Sequence, residues 1–278
     1  MLALQVSILL TVFGFGLRAT TADVLYLVRR PSLLGRSLLS MFVVMPILAA
    51  VVARAFTLPH TAEIVLVSLA ISPIPPLLPG RERRLGGNPS YGLGLMAIAA
   101  MLSIVVVPLA AQLVGWYFMK PFAMSSRAIA AIVLKAVVLP LAAGMALHAM
   151  WPDVVVRILK PVALVAQVLL AIGVLAILSG ALPAVIALIG DGVLLVLAAF
   201  IVAGLAVGHA LGGPDADNRL VLALSTASRH PAIALAVAKA NFPDEPHLGA
   251  TILLYLLVNA LLGIPLKAWQ QRRHAVPA

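Results

Sequence analysis

Residues 104–118 read IVVVPLAAQLVGWYF, an apolar run with no charge in it. Nothing in it alternates, so it does not read as a barrel strand with one apolar face. With the residues before it, from 90 onward, it is long enough to cross a bilayer as a helix, which takes about 20 residues. Similar runs recur along the whole chain. Of 278 residues, 63% are hydrophobic and 10% charged, and mean hydropathy is +1.13. A soluble domain carries about 25% charged and roughly 45–50% apolar residues. Too little polar sequence remains to coat a globule, so the surplus apolar surface faces lipid. There every backbone polar group must bond within the protein, which leaves helices or closed barrels. The long runs select helices, and the fold class is an all-α polytopic membrane protein.

Nine segments are long and apolar enough to span: 1–17, 37–57, 61–79, 90–118, 128–150, 155–180, 190–211, 219–240 and 248–268. Residues 1–17 lack a basic stretch ahead of the apolar run, so they read as a span rather than a leader. The clearest polar loop is RERRLGGNPS, residues 81–90. The least distinct boundary is ALPAVIALIGD, residues 181–191, which is apolar for a loop. The net charge of +10 is spread between apolar runs and forms no basic domain, which argues against a nucleic-acid partner. Thirteen Lys and Arg residues fall on one side of the nine segments. Only Arg54, Lys120, Arg127 and Lys239 fall on the other, and Lys135 and Arg229 fall inside segments. The positive-inside rule then puts the N-terminus outside and the C-terminus in the cytoplasm, in a cell membrane (the inner one in a bacterium). Trp116, Tyr117, Trp151 and Trp269 flank spans and read as interfacial anchors. With no Cys, disulfides and thiolate chemistry are excluded.

Two segments are interrupted. The third contains SLAISPIPPLLPG, residues 68–80, with Pro73, Pro75, Pro76 and Pro79. The eighth contains LSTASRHPAIALAVA, residues 224–238, with Arg229, His230 and Pro231. Proline lacks the helical donor and clashes with the carbonyl four residues back, so four of them in seven residues cannot continue one helix. Unwound backbone at membrane depth is tolerated only where protein or a water-filled cavity covers it. Broken helices in corresponding positions of two halves mark the site of an inverted-repeat transporter. A five-plus-five design lacking its first helix has nine spans, with breaks at three and eight.

Four stretches carry a family resemblance: FGFGLRATTADV (13–24), FVVMPILAAVVARAF (42–56), VSLAISP (67–73) and ALSTASRHPAIALAVAKANFPDE (223–245). In this order the chain resembles the bile acid:sodium symporter family in its nine-span form. The resemblance implies one transmembrane transporter domain over 1–278. A core would form around two crossing broken helices, 61–79 and 219–240, with a panel drawn in part from the others. It implies a small organic anion as substrate, the bilayer as surroundings, and alternating access. The family's sodium residues are not kept. Where sodium-coupled relatives have a glycine-rich turn and Ser-Asn after Ser-Pro, this chain has Ser72-Pro73 followed by Ile74, Pro75 and Pro76, with Leu78 and Pro79 at the Ser-Asn positions. Where relatives read Glu-Thr-Gly-x-Gln-Asn, it has Ser225, Thr226, Ala227, Ser228, Arg229 and His230. A cation wants hard oxygen donors. A lost carboxylate and a gained guanidinium point away from sodium, toward sodium-independent or proton-coupled transport. No resident cofactor or metal is expected.

The candidate substrate- and ion-binding residues are therefore Arg229, His230, Ser225, Thr226, Ser228, Ser72, Pro73 and Lys135. An Arg at the centre of a membrane costs at least about 2.5–3.5 kcal/mol, so it faces a cavity or a partner. Arg229 is expected to bind an anion or to replace sodium as a built-in cation, and His230 to carry a proton. Lys135 either lines the same cavity or snorkels to the outer surface. No acidic residue is expected inside another span. Ser225 and Ser228 have no Asp partner in view, which with the absence of metal and nucleotide motifs argues against an enzyme. Asn259 either lines a core or bonds between helices, and Glu63 favours a helix N-terminus. A membrane scaffold or sensor that moves nothing is the rival class. The charge split makes a topological prediction: a cysteine at Arg83→Cys will be protected from an impermeant thiol reagent added to intact cells. Labelling from outside contradicts the nine-span topology.

Overall fold

The computed structural model describes residues 2–118, 122–188 and 192–274, without the side chains of 117–118 and 264–274. Lys120 and Asp191, and the side chains of Tyr117, Lys267, Trp269, Arg272 and Arg273, lie outside the described part. The described chain is helical, in the order α1 (Leu2–Gly16), α2 (Thr21–Val24), α3 (Pro31–Leu39), α4 (Met45–Ala55), α5 (His60–Ile71), α6 (Leu78–Arg84), α7 (Pro89–Phe118), α8 (Ser126–Val133), α9 (Leu139–Met150), α10 (Pro152–Ala187), α11 (Val193–Leu211), α12 (Ala216–Ala227), α13 (Pro231–Asn241) and α14 (Leu248–His274). Among the described residues six helical stretches are long and apolar enough to cross a membrane. Three shorter apolar helices, Leu2–Gly16, His60–Ile71 and Leu248–Gly263, occupy the places of the other expected spans.

The prolines shape these elements. α3 runs into α4 through a π-helical turn, Ser40–Val44, and α8 into α9 through another, Leu134–Val138. Each turn ends in Val-Val-x-Pro, with Pro46 and Pro140 just beyond. A missing proline N–H leaves a carbonyl of the preceding turn unpaired, and the wider π turn absorbs that loss. The first part of the expected loop, residues 181–187, is helical, because α10 continues to Ala187 through Pro161 and Pro183; residues 189–191 lie outside the described part.

Burial separates centre from periphery. In its most apolar window α10 is 11% buried within the protein, whereas the α12–α13 stretch is 78% buried. Every residue from Ile64 to Ile71 on α5 and from Leu220 to Ala227 on α12 is buried. A helix apolar and buried all round belongs at the centre of a bundle. α1 packs on α9 and α10, α11 on α12 and α14, and α13 on α5 and α14.

The α11–α12 contact holds the second interrupted helix in place. Gly204 and Gly208, and Gly212 just past the end of α11, recur every fourth residue. A Cβ at Gly204 would lie 2.7 Å from Ala227 Cα, and one at Gly208 would lie 2.6 Å from Ala223 Cα. Helices in lipid gain little from apolar burial against each other, so close backbone approach through small residues is what joins them. Gly208→Ala is therefore expected to destabilise the purified protein by about 1–3 kcal/mol, as overpacking does. Gly180→Ala, with nothing within 4 Å of the new methyl, should leave the unfolding temperature unchanged. Equal thermal stability of the two variants contradicts the close α11–α12 contact.

Candidate functional site

The third segment breaks after Ile71. α5 stops, residues 72–77 are unwound apart from a turn, and α6 begins at Leu78. Ser72 turns its hydroxyl back to Leu69 O at 2.8 Å, leaving its own carbonyl free of the helix. The eighth segment breaks between Ala227 and Pro231, where Ser228 and His230 are extended. The two breaks meet: His230 N–H donates to Pro73 O at 2.8 Å. Each break thus supplies a backbone partner that the other lost to proline.

Arg229 lies at this meeting point with no exposed surface. Its backbone N–H donates to the Tyr255 hydroxyl at 2.7 Å, and that hydroxyl donates to Ala227 O at 2.7 Å. Its Nη1 donates to Ser72 O at 3.2 Å. The cation therefore sits at the C-terminal end of α5, where the helix dipole and an unpaired carbonyl favour positive charge. Nε and Nη2 have no hydrogen-bond partner among the described residues.

Around it the other expected residues take distinct places. Thr226 shares a hydrogen bond with Ser40 at 3.0 Å, tying α12 to the first π turn. Ser228 donates to Asn259 Oδ1 at 3.4 Å, and Asn259 Nδ2 donates to Ala227 O at 3.1 Å. His230 caps α13: its Nδ1 accepts from Ile233 N–H at 3.4 Å. That engages a lone pair a proton would need and fills one donor of the half-helix N-terminus. Lys135 does not join the group. It is exposed on the π turn Leu134–Val138, whereas the crossover residues are buried.

The charged stretch after the first break corrects one expectation. Residues 81–90 are not simply a polar loop, because the first four complete α6 and two of them turn inward. Arg81 donates to Asn259 Oδ1 at 2.7 Å and to Asn259 O at 3.0 Å. Glu82 is 1% exposed, and Ser225 Oγ donates to its Oε1 at 2.6 Å. A carboxylate from outside the expected spans thus reaches the centre and accepts from Ser225. Glu82 comes from a segment whose composition reads as solvated. Among the described residues, Arg81, Ser228 and Asn259 line a crevice too narrow to hold a water molecule. A small pocket of about 30 Å³ lies against His60, Glu63, Phe122 and Phe242. Arg229 lines neither.

The family model described as the Sodium Bile acid symporter family matches residues 5–188, well over half of the chain. The chain belongs to the sodium bile acid symporter family. Its members are membrane transporters, of bile-acid or organic-anion type, so this is an integral membrane protein with a small-molecule substrate. The match takes in the first break and ends ahead of α11, so the Arg229 break lies beyond it. Among curated proteins none matches the chain.

Tyr255 is a residue that sequence reasoning passed over. It is buried and lies one helical turn before Asn259, so both reach the second break from one face of α14. Tyr255→Phe keeps the ring and leaves the Arg229 N–H unpaired, while Ala227 O still accepts from Asn259 Nδ2. A buried group left unsatisfied costs about 1–3 kcal/mol, and the unfolding temperature should fall accordingly. Unchanged stability contradicts the role assigned to the hydroxyl.

Proposed function

We propose that this chain is a secondary transporter of small organic anions, working by alternating access without sodium, with the Arg229 guanidinium as the fixed cation of its crossover. The N-terminus is placed outside and the C-terminus in the cytoplasm by the same reading. One observation carries the proposal most. A fully buried guanidinium spends one nitrogen on the end of α5 and keeps Nε and Nη2 uncommitted, side by side on one planar fork. That pair of donors suits a carboxylate or sulfonate bidentately, which an ammonium does not reproduce.

The donor set is a poor fit for sodium. The Ser72 carbonyl, which a cation would use, already accepts from Arg229, and a fixed positive charge beside it repels a second one. The bonds between the breaks support a rigid unit that rocks as a body, as inverted-repeat transporters do. In such motion the sealed centre opens to one face at a time. Ser72, Pro73, Ser225, Thr226, Ser228 and His230 then serve mainly as its frame. The crossover is also what separates this reading from a scaffold, since a scaffold has no use for uncommitted charged donors in a sealed core.

A second reading of the same contact assigns Arg229 only the place of the cation, holding the α5 end together, with the anion bound elsewhere. Substrate affinity separates the two. With taurocholate, a bile-acid sulfonate, as the probe in sodium-free medium, Arg229→Lys should weaken binding and Arg229→Gln should weaken it further. The expected loss is on the order of ten- to a hundredfold, the equivalent of one charge-assisted hydrogen bond of about 1.5–3 kcal/mol. Undiminished affinity in a folded Arg229→Gln variant contradicts direct binding.

A further inference from the structure

Among the described residues, Glu82 is the one carboxylate that the crossover region buries, and the proposed anion site does not require it. It lies on α6, in the connection after the third segment and outside the spanning helices. One oxygen accepts from Ser225 on α12. The other, Oε2, has no hydrogen-bond partner among the described residues. It rests against the backbone of α7 at Gly92, where any Cβ would collide with it. An ionised carboxylate accepts several hydrogen bonds, and a buried one left with a single donor is costly. The neutral acid, with no charge to solvate, is the form that fits.

The charged neighbours do not supply the missing compensation. On its own helix, Arg81 is turned to Asn259, and Arg83 and Arg84 are exposed. From α7 the ionisable group facing it is Tyr91, whose hydroxyl is paired with Ser37 at 2.8 Å. From α12 it meets Ser225. The ionisable residues of α12, Asp217 and Arg219, sit at the start of that helix, where Arg219 donates to Gly213 O. Burial pushes the Glu82 carboxyl up to about 8, against the Ser225 hydrogen bond and the Arg81 charge, which pull it down.

We propose that Glu82, held by Ser225 and opposite Gly92, is the proton-binding site of this transporter, a carboxyl that takes up a proton when sealed in the α6–α7–α12 junction and releases it when that junction opens to water. The inference rests on the transport reading above and supplies its coupling ion. The change is a bare proton transfer: Oε2 gains H⁺ from water on closure and returns it on opening. An exposed Glu titrates near pH 4.3, so opening the junction at neutral pH favours release. His230 is poorly placed for the same task, since its Nδ1 already serves α13.

Two measurements on the full chain in proteoliposomes test this. Infrared titration should show a protonated carboxyl band that persists through neutral pH, disappears near pH 8 and is missing in Glu82→Gln. Ser225→Ala removes the bond that stabilises the ionised form, so its band should titrate at higher pH; this arm decides the matter if Glu82→Gln does not fold. In the second measurement an inward proton gradient should drive taurocholate accumulation by the wild type. Glu82→Gln should lose accumulation far more than tracer exchange. A wild-type spectrum with no such band, or a Ser225→Ala titration that does not move, overturns the proton site. Equal gradient-driven accumulation by wild type and Glu82→Gln does the same. If taurocholate moves through no variant, the transport reading fails for that anion, and the infrared titration still decides whether Glu82 carries the proton.

Discussion

One guanidinium donates to the carbonyl at the end of a broken helix, and the rest of the centre is fitted to that contact. Arg229 ends up in the core because Pro231 forbids helix continuity on one side, while α12 is held tightly to α11 on the other. Its charge is tolerable there because Pro73 has stopped α5 and left a carbonyl at the negative end of a helix. The Tyr255 hydroxyl and the Asn259 amide satisfy the polar backbone that the second break exposes. Removing either proline effect leaves the guanidinium without its acceptor or the backbone without its bend.

The small residues and the charged turn complete that arrangement. Gly204 and Gly208 let α12 approach α11 so closely that Ser225, Thr226 and Ala227 are all buried. Thr226 then reaches Ser40, in a π turn that exists because Pro46 follows it. α6, only seven residues long, brings opposite charges inward at consecutive positions: Arg81 to Asn259 and Glu82 to Ser225. The first break and the second are therefore joined at the backbone, through Pro73 and His230, and again through side chains on α6. Such double attachment suits a unit that moves as a rigid body against its surroundings.

Much of this was legible in the sequence for physical reasons. Apolar length marks spans, and proline interrupts helices, so the segments and both breaks could be placed to within a few residues. Arg229 stood out because a charge inside an apolar run is expensive. Glu82 was hidden in RERRLGGNPS, where four charges in a row read as a solvated turn. Only the packing of α6 turns two of them inward, Arg81 to Asn259 and Glu82 to Ser225. Gly92, which leaves space for the carboxyl, was the available signal, but a lone glycine has many other causes. Tyr255 was hidden for the opposite reason, since an aromatic residue in an apolar helix reads as packing. Lys135 drew attention as an intramembrane cation, yet the π turn presents it at the periphery, an orientation that helical periodicity alone does not give.

The central claim is that a cation built into the chain has taken the place of sodium at the crossover. Uptake of taurocholate by proteoliposomes holding the full chain, with sodium replaced throughout by choline, tests it most directly. The account predicts the same initial rate in both media. A steep, saturable requirement for sodium contradicts it.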